Sequence, residues 1–142
     1  MFANRAAVPV HQGNFQMIHS LANRFFATAA LFALCGMVWG LVMSATHDHS
    51  LGPAHGHLNL VGFVAMSVFG TYYALSPAAA DSRLARVHYW LALVSVVVFA
   101  PGIALAINDT TEALAVLGTL LVIASMCVFL AVILATARQR RA

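Results

Sequence analysis

The stretch EALAVLGTLLVIASMCVFLAVILATA, residues 112–137, carries a single charge, at its first position, and nothing else that would resist hydrocarbon. About 20 apolar residues in a helix are enough to cross the roughly 30 Å core of a bilayer. Three more runs of this kind lie upstream, at about 25–46, 53–76 and 87–107, separated by HDHSLGP, SPAAADSRLAR and NDTTE. Each run is too long and too uniformly apolar to be a strand of a polar-lumen barrel. The expected fold is therefore all-α, a four-helix transmembrane bundle forming one membrane domain over 1–142, with 1–24 as an arm before the first span. Composition agrees: 62% of the chain is hydrophobic, 8% is charged and the mean hydropathy is +0.88. Soluble domains carry about a quarter charged residues. That excludes a soluble enzyme, a disordered tail and a nucleic-acid-binding domain, and leaves the lipid bilayer as the first partner.

Orientation follows from the seven arginines, since there is no lysine. Arg5 and Arg24 precede the first run, Arg83 and Arg86 lie between the second and third, and Arg138, Arg140 and Arg141 follow the fourth. The other two connections carry no basic residue except histidine. The positive-inside rule then predicts both termini in the cytoplasm and the histidine-rich turn outside, in an up-down-up-down bundle. This would be a multi-pass protein of a bacterial inner membrane, its histidine-rich loop on the periplasmic side. Within the arm, Phe15, Ile18 and Ala22 repeat at helical spacing, which fits either a short interfacial helix or an unstructured segment. Tyr89 and Trp90 fall where an aromatic belt is expected, and Pro101-Gly102 predicts a kink in the third helix. Cys35 and Cys127 read as small buried side chains without a disulfide partner.

Histidine is the unusual residue. Four of the seven fall within eleven positions, His47, His49, His55 and His57. Ionisable groups at membrane depth are costly and mark candidate sites, whereas a loop histidine such as His49 is simply solvated. At 100° per residue, Gly36, Gly40, Met43 and His47 share one face of the first helix. His55, Asn59, Gly62, Met66, Phe69 and Tyr73 share one face of the second. His57 lies about 200° from His55 on a regular helix, so the two do not ligate one ion there. Three readings stay open. Gly36-x-x-x-Gly40 could be a packing motif, which also favours a homo-oligomer. The two stripes could hold a haem b between the helices, with histidines as axial ligands and Gly36, Gly40 and Gly62 under the ring. Or His47, His55 or His57, together with Asp48, could form a copper or zinc site on the outer surface.

The segment SLGPAHGHLNLVGFVAMSVFGTYYALSP resembles the second helix of subunit I in the haem-copper oxidase and nitric oxide reductase superfamily. The region from ATHDHSLGPAHGHLNLVGF to LARVHYW more closely resembles small four-helix bacterial proteins labelled subunit-I-like. The similarity covers about residues 44–90. It implies that His55, in PAH, is an axial haem ligand, with FGTYY matching the family's aromatic end. The chain lacks the helices that supply the second ligand and the copper ligands, so the resemblance does not imply oxygen or nitric oxide turnover. Arginines that pair with haem propionates have no counterpart at the histidine end.

The expectation is thus a haem-b-binding accessory protein for electron transfer or diatomic-gas handling, not an enzyme on its own. His55 is the first ligand and His47 the second, with a respiratory or periplasmic redox partner. A copper or zinc module and a cofactor-free structural subunit are the alternatives. His88 reads as an interface anchor. Asp109-Thr110 reads as the cap of the fourth helix, with Glu112 complementing its dipole.

Overall fold

The computed structural model describes residues 20–139 and is all-helical, with no strand among them. Four helices are long and apolar enough to cross a membrane: α1 (Ser20–Thr46), α2 (Gly52–Leu75), α4 (Arg83–Ile107) and α5 (Ala113–Gln139). A single turn, α3 (Pro77–Ala80), lies between α2 and α4. The spans thus fall within a few residues of the expected ones. The largest departure is α1, which begins at Ser20 and carries the first span back into the arm. Ala22 is buried in that first turn; Phe15 and Ile18 lie outside the described residues.

The helices join in two pairs. Along α1, Phe25, Phe32, Gly36 and Gly40 meet in turn Phe69 and Tyr73, then Gly62, Asn59 and His55 of α2. Along α4, His88, Phe99 and Gly102 meet Phe129, Gly118 and Leu114 of α5. α2 links the pairs. Accordingly 33% of its most apolar window is buried, against 17% for α1, which turns Leu31, Leu34, Met37, Val38 and Leu41 outward. A helix apolar all round, with one side covered, is what a bilayer allows and water does not.

Most of the packing lies at the end bearing the described arginines. Phe25 stacks on Tyr73 at 5.3 Å and meets Tyr89 edge-on at 5.1 Å, with Met66, Phe69 and Phe129 closing the cluster. Tyr89 is buried there and its hydroxyl donates to Thr28 Oγ1 (3.0 Å), tying α4 to α1. Trp90 is exposed, whereas Tyr89 belongs to the core, which corrects its reading as a belt residue. Cys35 and Cys127 are both exposed, which corrects their reading as buried: each falls on an outward helix face.

Turn chemistry explains the ends. α4 runs through Pro101 to Ile107 and stops at Asn108, with Asp109 in the left-handed region at φ 52°. The Asp109 N–H reaches the Ala106 carbonyl and the Thr110 N–H reaches that of Leu105. This is a Schellman stop, built on an aspartate rather than a glycine. Asp109 therefore ends α4 instead of capping α5. That cap comes from Thr111, whose Oγ1 accepts the Ala113 N–H at 3.2 Å. His47 at φ 56° reverses the chain after α1 in the same conformation. α4 begins as sequence rules expect, with Ser82 Oγ accepting from the Ala85 N–H.

Candidate functional site

α2 is α-helical over Gly52–His57, widens to a π-helix over Leu58–Ala65 and returns to α-helix over Met66–Leu75. Pro53 in the first turn suits the start, since its missing N–H has no partner there anyway. Asn59 accounts for the widening. Its side-chain amide donates to the His55 carbonyl (3.0 Å), the group that the Asn59 backbone N–H would take in a regular α-helix. Single π segments of this kind recur at functional sites.

His55 points at α1. Its Nε2 lies 3.0 Å from the Gly36 carbonyl and 2.9 Å from the Asn59 amide nitrogen. One nitrogen with one proton cannot donate to the carbonyl and accept from the amide at once. The Asn59 amide carries a second N–H besides the one on the His55 carbonyl, so Nε2 either donates to the Gly36 carbonyl or accepts from Asn59, according to the tautomer. The glycine stripe makes this approach feasible. A Cβ on Gly36 would collide with the Asn59 amide, and one on Gly40 would come within 3.3 Å of His55 Nε2. Trp39 closes the ring edge-on at 6.0 Å. His55, Asn59, Gly36 and Gly40 are thus brought together, as an interhelical clasp. Gly62 packs instead on Phe32 and Val96.

His57 faces the other way, toward α4, where Phe99 meets it edge-on at 5.1 Å. Its Nδ1–H donates to the Pro53 carbonyl at 2.7 Å. That bond sets the tautomer and leaves Nε2 with its lone pair, the arrangement that usually prepares a metal-ligating imidazole. His47 is exposed at the reversal, and His49 is exposed within the turn. Beside them the Ser50 backbone N–H (2.9 Å) holds the Asp48 carboxyl below the usual carboxylate range.

These positions bear on the metal readings unequally. No group of three His, Cys, Asp or Glu side chains able to hold a metal ion occurs among the described residues. His47, His55 and His57 do not converge. A haem b lying between α1 and α2 does not fit this packing, because His55 and Asn59 fill the space over Gly36 and Gly40. The same filling leaves that stripe closed to a second copy of the chain, so it gives no basis for a homo-oligomer. His57 differs from His55 in that its Nδ1 bond stays within its own helix and leaves the Nε2 lone pair uncommitted by it.

Sequence reasoning missed His88, which is fully buried rather than an interface anchor. Its Nδ1 is 3.0 Å from the Tyr73 hydroxyl, Phe129 stacks on it at 5.2 Å and Phe69 meets it at 4.6 Å. Its Nε2 has no hydrogen-bond partner. Tyr73 belongs to the inward stripe of α2, and that was the available signal. Tyr73→Phe is expected to cost about 1–3 kcal/mol by stranding a buried imidazole nitrogen. Tyr73→Phe combined with His88→Leu should recover most of it, as unfolding in detergent would measure. Additive losses would show that the pair is not coupled.

The chain matches no protein-family model, and no curated protein or solved structure is similar to it. Fold and site define it as a helical protein with four candidate membrane spans.

Proposed function

We propose that this chain is an accessory membrane protein of the oxidase-subunit-I type that carries haem b on His57 and does not turn over substrate by itself. One observation supports the ligand choice: the Pro53 carbonyl fixes Nδ1 of His57 and keeps Nε2 free to donate its lone pair. A haem there supplies one-electron exchange at iron, or a coordination position for a diatomic gas. The chain's own part is narrower. Pro53 sets the tautomer, Phe99 fixes the plane of the imidazole, and the His55–Gly36 clasp holds α2 against α1 so that His57 is displayed on a rigid end. A second subunit, a further copy or a respiratory redox partner, completes the enclosure. That need is why the protein is accessory.

In this reading the bundle is up-down-up-down with both termini in the cytoplasm of a bacterium and the histidine-rich turn on the periplasmic side. The reversed order of contacts within each helix pair supports the first part, and the placement of the arginines supports the second. A reporter fused after Ala142 should give a cytoplasmic signal, and one inserted between Asp48 and Pro53 a periplasmic one. The opposite pattern would put the histidines in the cytoplasm and remove any periplasmic electron donor. Haem extracted from the purified protein should approach about one per chain. A haem-free protein would leave the cofactor-free reading, which the engagement of His55 and both glycines inside the bundle favours. Stoichiometric copper or zinc in its place would favour the metal module, with ligands drawn from more than one chain.

A further inference from the structure

We propose that the cavity between the arginine ends of α1 and α4 binds the phosphodiester group of an anionic glycerophospholipid. The cavity measures about 470 Å³ and is lined by Ser20, Leu21 and Arg24 of α1, by Ala80 and Asp81 at the end of α3, and by Arg86 of α4. Its position is not accidental. One helical turn further along α1 from Arg24, Thr28 donates from its hydroxyl to the Arg24 carbonyl at 2.8 Å. The same Thr28 oxygen accepts from Tyr89, three residues beyond Arg86 on α4. This bridge pins α1 to α4 just inside the point where both arginines emerge, and brings two guanidinium groups from separate helices to one cavity.

Charge selects the ligand. Two arginines against one aspartate leave the lining with a single net positive charge, which a phosphodiester with a neutral headgroup neutralises. Guanidinium binds phosphate oxygens through paired N–H donors, better than a point charge does. The Ser20 hydroxyl is suited to a hydroxyl of a glycerol headgroup. Other sources of negative charge are scarce at this end. Asp48, Asp109 and Glu112 all lie in the turns at the opposite end, and residues 1–19 contain no aspartate or glutamate. A phosphodiester would supply the negative charge that the lining lacks. Leu21 and Ala80 give the cavity an apolar edge, and Arg24 and Arg86 stand at the ends of spans, the level at which phospholipid headgroups lie.

The test uses the full-length protein in neutral detergent, with lipids retained counted by native mass spectrometry during titration with phosphatidylglycerol, phosphatidylcholine or inorganic phosphate. Phosphatidylglycerol should be retained in preference to phosphatidylcholine. Arg24→Gln should weaken its binding about fivefold, and Arg24→Gln with Arg86→Gln more than about tenfold. Arg24→Lys with Arg86→Lys should keep most of it and verify that the fold survives. Arg83→Gln, at the same end but outside the cavity lining, should leave it unchanged. An Arg83→Gln loss as large as that of Arg24→Gln would overturn the proposal, because binding would then follow diffuse charge. Equal retention of phosphatidylcholine would overturn it too, as would displacement of the lipid by inorganic phosphate at matched concentration.

Discussion

Gly102→Ala and Gly118→Ala are expected to destabilise the protein by about 2–4 kcal/mol each, and to lower its unfolding temperature in detergent accordingly. A Cβ on Gly102 would sit 2.6 Å from the backbone of Leu114 and Ala115, and one on Gly118 would sit 2.5 Å from Phe99 Cα. Atoms do not approach that closely, and here the obstacle is backbone, which cannot rotate aside as a flexible side chain can. The helices would have to part along the α4–α5 seam. Helices in lipid gain little from mutual burial of apolar surface, so close backbone approach is what holds such a seam. Gly56 is the internal control, since a methyl group added there would meet nothing within 4 Å. Gly56→Ala should be neutral or slightly stabilising, since alanine is the better helix former. Equal behaviour of the three variants would show that α4 and α5 do not meet as described.

Much of this fold was legible in the sequence, because lipid reduces the problem to length and apolarity. Four runs with one charge among them, Glu112 at the edge of the last, can only be helices, and their ends fell close to HDHSLGP, SPAAADSRLAR and NDTTE. The inward stripe of α2 was legible too: Met66, Phe69 and Tyr73 are buried. The site was less so. Phase analysis separated His55 from His57 correctly, one toward α1 and the other toward α4. It could not say which imidazole keeps a free nitrogen, since that depends on a carbonyl four residues back and on a glycine in another helix. His88 was misread for a related reason. A histidine beside Tyr89-Trp90 near a helix start resembles a belt, and only the docking of α2 and α5 turns it into core. Asp109 was misplaced because Asn-Asp serves equally to stop one helix or to start the next.

His57→Ala should remove most of the bound haem, whereas His55→Ala should retain it while lowering stability. The difference lies in what each ring already does. Truncating His57 removes the ligand nitrogen and one edge-on contact with Phe99, while its Nδ1 bond ends on a carbonyl of its own helix. Truncating His55 deletes the hydrogen bond of its Nε2, to Gly36 or to Asn59, and opens the space over Gly40, at a cost of about 1–3 kcal/mol. His49→Ala, in the exposed turn, should change neither haem content nor stability.

The most direct measurement is the reduced-minus-oxidised absorption spectrum of wild type, His55→Ala and His57→Ala, purified in parallel from haem-sufficient cells. Haem b ligated by His57 requires a b-type Soret band and α/β bands in the wild type and in His55→Ala, and their loss in His57→Ala. Bands that persist in His57→Ala and vanish in His55→Ala would contradict it, and would mean that α1 and α2 part to admit the ring at His55.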